Sequence, residues 1–458
     1  MRGILFTAPR SGSGKTLVTC AILKAFQNRK LNMASFKCGP DYIDPMFHRE
    51  TLHIPSFNLD TYMCGKEGVW HTYQTYAKGR DLAVVEGVMG YYDGVGGTSF
   101  TASAYDVAVT LDLPAVLVLD CKGLSLSAAA VVKGFQSLQE DSHIAGVILN
   151  RVSPMLYPRM KASIEERCRI PVYGYLPVIP DGQFESRYLG LKLPQEKANI
   201  QKALQLLGEQ AEKSIDLDGL LSLAAAFDAD TGSKDAKAKG LEERRYKIKD
   251  CSDKPVRIGV ARDQAFCFIY EENLDLLKSF GAELVEFSPL YDKELPKDLD
   301  GLLLYGGYPE LYGKTLADNV SMRESILHAL KAGMPCMAEC GGFMYLMESL
   351  TAPDGNTYPM VGLLPGNSLK KEKLGRFGYI ELTGGNLFGH KTSPIRAHEF
   401  HYYDSEQAGD AFVARKPASE RSWRAMVATD TLLAGYPHIH YAGNTHVAEA
   451  FINRCRGK

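Results

Sequence analysis

The segment Ser11-Gly12-Ser13-Gly14-Lys15-Thr16 lies between a short apolar run and a stretch of helical length and spacing, residues 16–28. Glycines there let backbone N–H groups close around phosphate oxygens, and the helix N-terminus adds a favourable dipole. Lys15 is placed to reach the β- and γ-phosphates, and the Thr16 hydroxyl to ligate Mg²⁺. The strict phosphate-loop spacing is not met, because Pro9 stands where its first glycine belongs. Three carboxylate-bearing segments suit chemistry on such a nucleotide: Lys37-Cys38-Gly39-Pro40-Asp41-Tyr42-Ile43-Asp44, Asn58-Leu59-Asp60, and Glu86-Gly87-Val88-Met89-Gly90-Tyr91-Tyr92-Asp93. The first and third follow candidate parallel strands, whose C-terminal ends are where doubly wound sheets place ligands. Glu86 and at least one of Asp41 and Asp44 are expected to hold Mg²⁺ together with Thr16, Asp44 being the carboxylate assigned with Glu86. Asp93 is expected to position the second substrate or a second metal. The plainer alternative for Asp41 and Asp44 is that they cap turns beside Pro40 and Pro45.

A second chemistry is written later in the chain. Cys336-Met337-Ala338-Glu339-Cys340-Gly341-Gly342 reads as an apolar strand ending at Cys340, followed by an expected helix, FMYLMESL. A cysteine at such an elbow is expected to gain from the helix N-terminus, which favours thiolate. Small residues after it expose the sulfur, and the Gly341 N–H is one expected oxyanion donor. The other is expected from the turn Gly306-Gly307-Tyr308-Pro309-Glu310, at Gly307. The base should be a histidine from far along the chain. His398, His401, His438 and His440 sit in two short motifs, AHEFH and GYPHIHY, with His438 ranked first. The HxH spacing also admits metal binding, but no third ligand is evident.

These residues need a scaffold. Non-alternating apolar runs at 3–8, 33–37, 82–86, 115–119, 144–149 and 172–176 read as strands of a parallel sheet covered on both faces. Helical stretches between them complete an α/β pattern. Residues 231–253 contain almost no large apolar side chains and read as a linker between domains at 1–230 and 254–458. A second α/β unit then starts, with strands at 256–260, 283–287, 301–305 and 335–338 and strand-like pieces through 376–440. The 458 residues are 45% hydrophobic and 23% charged, which excludes a disordered chain, and a formal charge of -2 argues against a dedicated nucleic-acid binder. No segment reads as a signal peptide or membrane span, and ten scattered cysteines fit a reducing, cytoplasmic setting.

Taken together, the motifs carry a specific resemblance. SGSGKT, FKCGPDYIDPMFH, NLD, EGVMGYYDG, ILNRVS, SRYLGL, YGGYPE, AECGGFMYL, AHEFHYYDS and GYPHIHY follow one another as in the cobyrinic acid a,c-diamide synthase family, across nearly the full length. The resemblance implies an N-terminal P-loop NTPase-like domain, similar to dethiobiotin synthetase, and a C-terminal class I glutamine amidotransferase domain. The implied reaction uses ATP and Mg²⁺ to phosphorylate a macrocycle carboxylate, which ammonia from L-glutamine converts to an amide, first at one and then at the other of the a and c acetates. The substrate implied is cobyrinic acid or a related tetrapyrrole, hydrogenobyrinic acid and nickel-sirohydrochlorin being the alternatives. An internal apolar passage for ammonia is a further expectation. Cys340 carries over as nucleophile and His438 as general base, while Asp41, Asp44, Glu86 and Asp93 carry over to the ATP and carboxylate site. Asn150 resembles the nucleotide-base reader of related loops, or simply ends its strand. The family's usual glutamate two residues after the histidine is here His440, so a third triad member is not assigned. A nucleotide switch of the MinD and ParA kind would explain the loop but leave the second half idle, and Arg10 stands where many of those proteins carry a lysine. Neither nucleic acid nor membrane is an expected partner, and a homodimer is one open expectation for the assembly.

Overall fold

The apolar runs of the first half become the strands of one parallel sheet. The computed structural model describes residues 2–180, 186–187, 190–191, 200–230, 255–372 and 375–457. It divides into two compact units, Met1–Arg245 and Tyr246–Lys458. The expected linker at 231–253 lies outside the described residues, as do Tyr188 and Leu189 of the SRYLGL stretch.

In the first unit, β1 (Gly3–Thr7), β2 (Met33–Cys38), β3 (Ser56–Leu59), β4 (Leu82–Glu86), β5 (Ala115–Asp120), β6 (Ile144–Asn150) and β7 (Val172–Leu176) form a sheet in the order β3-β2-β4-β1-β5-β6-β7. Every pairing in it is parallel. With β1 in the middle, the loops leaving β1, β2, β4 and β6 emerge on one edge, bringing residues 8–16, 39–44, 87–94 and 150 together. Helix α1 (Lys15–Asn28) buries Val18, Ile22, Leu23 and Phe26 against Ile4, Phe6, Val84 and Val116 of the sheet and Leu204 and Leu207 of helix Ile200–Ser214. Burying each such side chain contributes about 1.5–3 kcal/mol, which anchors the helix whose first turn carries Lys15 and Thr16.

The second unit has its own sheet, in the order Ala282–Phe287, Val256–Ala261, Gly301–Leu304, Cys336–Glu339, Leu432–Gly435, Val427–Ala428. It is parallel except at the last pair. The strand-like pieces beyond 376 resolve into antiparallel pairings, among them Arg376–Thr383 with Ile395–His401, which in turn pairs with His438–Ile439. The expected helix after Cys340 is shorter than its apolar pattern suggested. It ends at Leu346, and Met347–Thr351 is a strand between Thr357–Pro359 and Leu364–Lys370. The reason is visible in the partners: a turn at Asp354-Gly355 folds the chain back on Met347–Thr351, and ladder hydrogen bonds there replace further helical ones.

Candidate active sites

The loop between β1 and α1 passes through Gly12 and Gly14 at φ of 75° and 86°. Gly14 has no room for a side chain, because a Cβ would stand 2.2 Å from Asn150 Nδ2. That amide donates to the Ser13 carbonyl at 2.9 Å. Asn150, expected to read a nucleotide base, is therefore buried beneath the loop and braces it. Ser13 Oγ donates to Arg10 O, while Ser11 and Gly12 lie exposed at the tip. Lys15 Nζ donates to Met89 O at 2.5 Å, tying the loop to the segment after β4. Burial and the nearby Lys37 bring the Lys15 pKa down to about 8, so it still carries most of its charge at neutral pH.

Lys37 and Glu86 are direct partners on neighbouring parallel strands, so their side chains leave the sheet on the same face. Lys37 Nζ donates to Glu86 Oε1 at 2.7 Å and to Asp44 Oδ2 at 2.5 Å, with Asp41 Oδ2 at 3.9 Å. Thr16 Oγ1 donates to the same Glu86 Oε1 at 2.6 Å and lies 3.4 Å from Asp44 Oδ2. Burial opposes the charge on Lys37, but Asp44, Glu86 and Asp41 outweigh it and hold the ammonium protonated. Asp44 stays low against its own burial because of Lys37, while burial pushes Glu86 up to about 7. Sequence reasoning gave Lys37 no role; its one signal was a lysine inside a mostly apolar strand. Asp41 accepts the N–H groups of Ile43 and Asp44 through Oδ1, so it caps the helix Ile43–Thr51 and also faces Lys37. Asp93 Oδ2 accepts the Gly90 N–H and fixes the loop after β4.

The donors fit a Mg²⁺ ion. Thr16, Asp44 and Glu86 converge as hard oxygen ligands, and Glu86 Oε2 is buried with no hydrogen-bond partner among the described residues. Among the described residues no three His, Cys, Asp or Glu side chains cage an ion by themselves. Mg²⁺ binds through one or two carboxylates, with phosphate oxygens and water completing its shell.

In the second unit Cys340 adopts φ 48° and ψ −104°, a strained elbow between strand Cys336–Glu339 and helix Gly341–Leu346. Its N–H donates to Gly435 O, which fixes the elbow on the neighbouring strand. A Cβ on Gly341 would lie 3.0 Å from the Gly307 nitrogen and 2.8 Å from Pro309 Cδ. The Gly307 backbone therefore lies close to that of Gly341, whose N–H donates to the Cys340 sulfur. The expected thiolate is not what the environment favours. Burial pushes the thiol up, Glu310, Glu399 and Glu339 add to this, and a hydrogen bond from the Gly341 N–H works against them. The resting sulfur is thus a thiol that needs a base.

The four histidines separate on inspection. His438 is buried, and a Cβ on Gly306 would stand 2.6 Å from its Cε1, so a side chain there would displace the imidazole. Its Nδ1 is 3.6 Å from Glu339 Oε2. His398 stacks on it with ring centroids 4.9 Å apart and meets the Tyr270 hydroxyl at 3.1 Å. His401 pairs with Glu399 at 3.1 Å and stacks on Tyr436. His440 accepts the Ala442 N–H at Nδ1 and turns Nε2 toward Glu272, 4.0 Å away. The two members of the HxH motif thus face different carboxylates rather than one ion. Among the described residues no disulfide joins the cysteines, and no helix is long and apolar enough to cross a membrane.

Comparison with known proteins matches each unit to a domain family. Residues 4–184 match the CobQ/CobB/MinD/ParA nucleotide binding domain, and residues 257–446 match the CobB/CobQ-like glutamine amidotransferase domain. Three relatives share 35–38% identity, each named cobyrinate a,c-diamide synthase. The Priestia megaterium protein is 35% identical over 99% of this chain and 97% of its own. The Caldanaerobacter subterraneus protein is 36% identical over 99% and 98%. That of Listeria innocua is 38% identical over 97% of each. An α/β chain that joins a nucleotide-binding domain to a glutamine amidotransferase domain, and matches these relatives end to end, belongs to the cobyrinate a,c-diamide synthase family, glutamine-dependent ligases of cobalamin biosynthesis.

Proposed function

We propose that this chain amidates the a and c acetate carboxylates of cobyrinic acid, using ATP and L-glutamine, through acyl-phosphate intermediates. What supports the reading is the presence in one chain of two groups of reactive residues: Lys15, Thr16, Lys37, Asp44 and Glu86 in the first unit, and in the second Cys340 with the Gly307–Gly341 backbone, and His438 facing Glu339, the residue before Cys340.

A carboxylate does not condense with ammonia at neutral pH unless a leaving group is installed on it. In the first unit the substrate carboxylate oxygen attacks the γ-phosphorus, the bond to the β-bridging oxygen breaks, and ADP leaves. The loop N–H groups and Lys15 hold the phosphates, and Lys37 offsets the negative charge of Asp44 and Glu86 beside them. Thr16, Asp44 and Glu86 would hold Mg²⁺, which when bound neutralises charge on the phosphates. Asp93 keeps the loop after β4 in place around the acceptor. Ammonia then forms the C–N bond, and inorganic phosphate leaves.

In the second unit the Cys340 S–H proton passes to His438 as sulfur bonds to the carboxamide carbon of glutamine. The Gly307 and Gly341 N–H groups receive the oxyanion. The C–N bond breaks, the proton on His438 goes to nitrogen, and ammonia departs. Water cleaves the thioester to glutamate with the same imidazole as base.

The acyl phosphate has a direct test. Cobyrinic acid labelled with ¹⁸O in its carboxylates should transfer one ¹⁸O to inorganic phosphate for each amide formed. Amide formation with unlabelled phosphate would exclude the intermediate.

A further inference from the structure

An imidazole that takes a proton at Nε2 must carry its own hydrogen on Nδ1, and a buried Nδ1–H needs an acceptor that fixes both tautomer and ring plane. The position two residues after His438 is occupied by His440, which accepts the Ala442 N–H at Nδ1 and faces Glu272 at Nε2. Glu399 is engaged by His401 and by Trp423 Nε1. His398 lies face to face with His438, at an interplanar angle of 14°, so its in-plane nitrogens do not point at the His438 edge. Glu339, by contrast, presents Oε2 to His438 Nδ1 at 3.6 Å. Its side chain is 5–6% exposed, and the Ile439 N–H, next to His438 in the chain, also donates to its carboxylate.

We propose that Glu339, the residue immediately before the nucleophile, is the positioning residue of the glutaminase: it accepts the Nδ1–H of His438 and aims Nε2 at the Cys340 sulfur. The proposal rests on the roles given above to Cys340 and His438. It supplies the third member of the triad from the strand that carries the nucleophile. The register explains how. Glu339 is paired with Gly435 at the end of its strand, and three residues after Gly435 the chain delivers His438 beside it. Gly306 leaves the space that the His438 ring occupies. Glu339 keeps its negative charge throughout. The proton moves from sulfur to Nε2 and on to the departing nitrogen, while Nδ1–H remains shared with the carboxylate. The present separation is slightly longer than a hydrogen bond, and such contacts tighten when substrate closes the site.

Three variants in the full chain test this: Glu339→Gln, Glu339→Ala and Glu339→Asp. Steady-state kinetics would be measured with glutamine and, separately, with ammonium, which bypasses the thiol and reports that the chain is folded. A Gln side chain can donate to Nδ1 and invert the tautomer, so Glu339→Gln should lower kcat with glutamine by about a hundredfold or more at nearly unchanged KM. Glu339→Ala should be no worse than Gln, and Glu339→Asp should recover at least tenfold over Gln. Merely structural Glu339 would reverse that order, the isosteric Gln being mildest. Glu339→Gln within tenfold of the parent kcat, or ammonium-driven turnover falling in step with glutamine-driven turnover, would overturn the proposal. Cys340→Ala is run alongside: if it still used glutamine, the underlying assignment of the thiol would fail instead, and the two failures cannot be confused.

Discussion

Lys37 is the residue on which the charge balance of the first site turns. Its ammonium sits between Asp44 and Glu86, two carboxylates that would otherwise repel each other and incoming phosphate. Lys37→Met should therefore lower ATP-driven amidation by about a hundredfold or more with ammonium as well as with glutamine. Retention within threefold would assign Lys37 a packing role only. Glu310 is the corresponding residue beside Cys340. Burial raises its carboxyl to about 7 from 4.5, so its charge is disfavoured in the folded chain. Stability from the neutral form is fully present below pH 4.5 and is lost as the pH rises through about 7. Glu310→Gln should then gain thermal stability over the parent progressively from pH 5 to pH 8. At pH 8 it should also speed alkylation of Cys340 several-fold, since removing a neighbouring anion lowers the thiol pKa. A stability difference that stays flat across that range would contradict the assignment. At this scale the reactive types at 15, 16, 44, 86, 340 and 438 could be read from motif and spacing. Lys37 and Glu339 could not, because Glu86 and His438 come from strands distant in sequence and only the fold brings them together.

At the scale of elements, glycine backbones set what the side chains can do. The Gly341 and Gly307 backbones approach so closely that a methyl at 341 would meet both Pro309 and the Gly307 nitrogen. Gly341→Ala should thus displace one oxyanion donor and reduce glutamine hydrolysis by about 10²–10³-fold. Iodoacetamide should still modify Cys340, which separates a damaged oxyanion hole from a lost nucleophile; hydrolysis at parental rates would show that the hole lies elsewhere. The elements most easily read in advance are the buried parallel strands, such as Leu82–Glu86 and Ala115–Asp120, whose apolar runs lack alternation because both faces are covered. Ser56–Leu59 escaped notice because it is a four-residue edge strand with two polar side chains. The segment from 341 onward misled because its apolar residues satisfy helix or strand equally, and the hairpin partner at Thr357–Pro359 decided between them. The helix dipole at Cys340 likewise promised a thiolate that burial and three acidic neighbours disfavour.

At the scale of the whole molecule, one chain carries a nucleotide-binding domain and a glutamine amidotransferase domain, and the family match spans both. Order of motifs made this legible, since two unrelated chemistries followed each other along a single sequence. The macrocycle is the part that sequence leaves open, because the roles proposed for Lys15, Glu86 and Cys340 concern the reaction centre and not the ring. The most direct measurement is mass spectrometry of products from the purified chain given ATP, Mg²⁺ and glutamine, with cobyrinic acid, hydrogenobyrinic acid and nickel-sirohydrochlorin offered in parallel. Cys340→Ala would be run on the same panel with glutamine and with ammonium. Two successive amidations of cobyrinic acid in preference to the other rings are expected, lost in Cys340→Ala on glutamine and retained on ammonium. Glutamine hydrolysis with no amidation of any macrocycle, or preferred amidation of another ring, would contradict the proposed substrate.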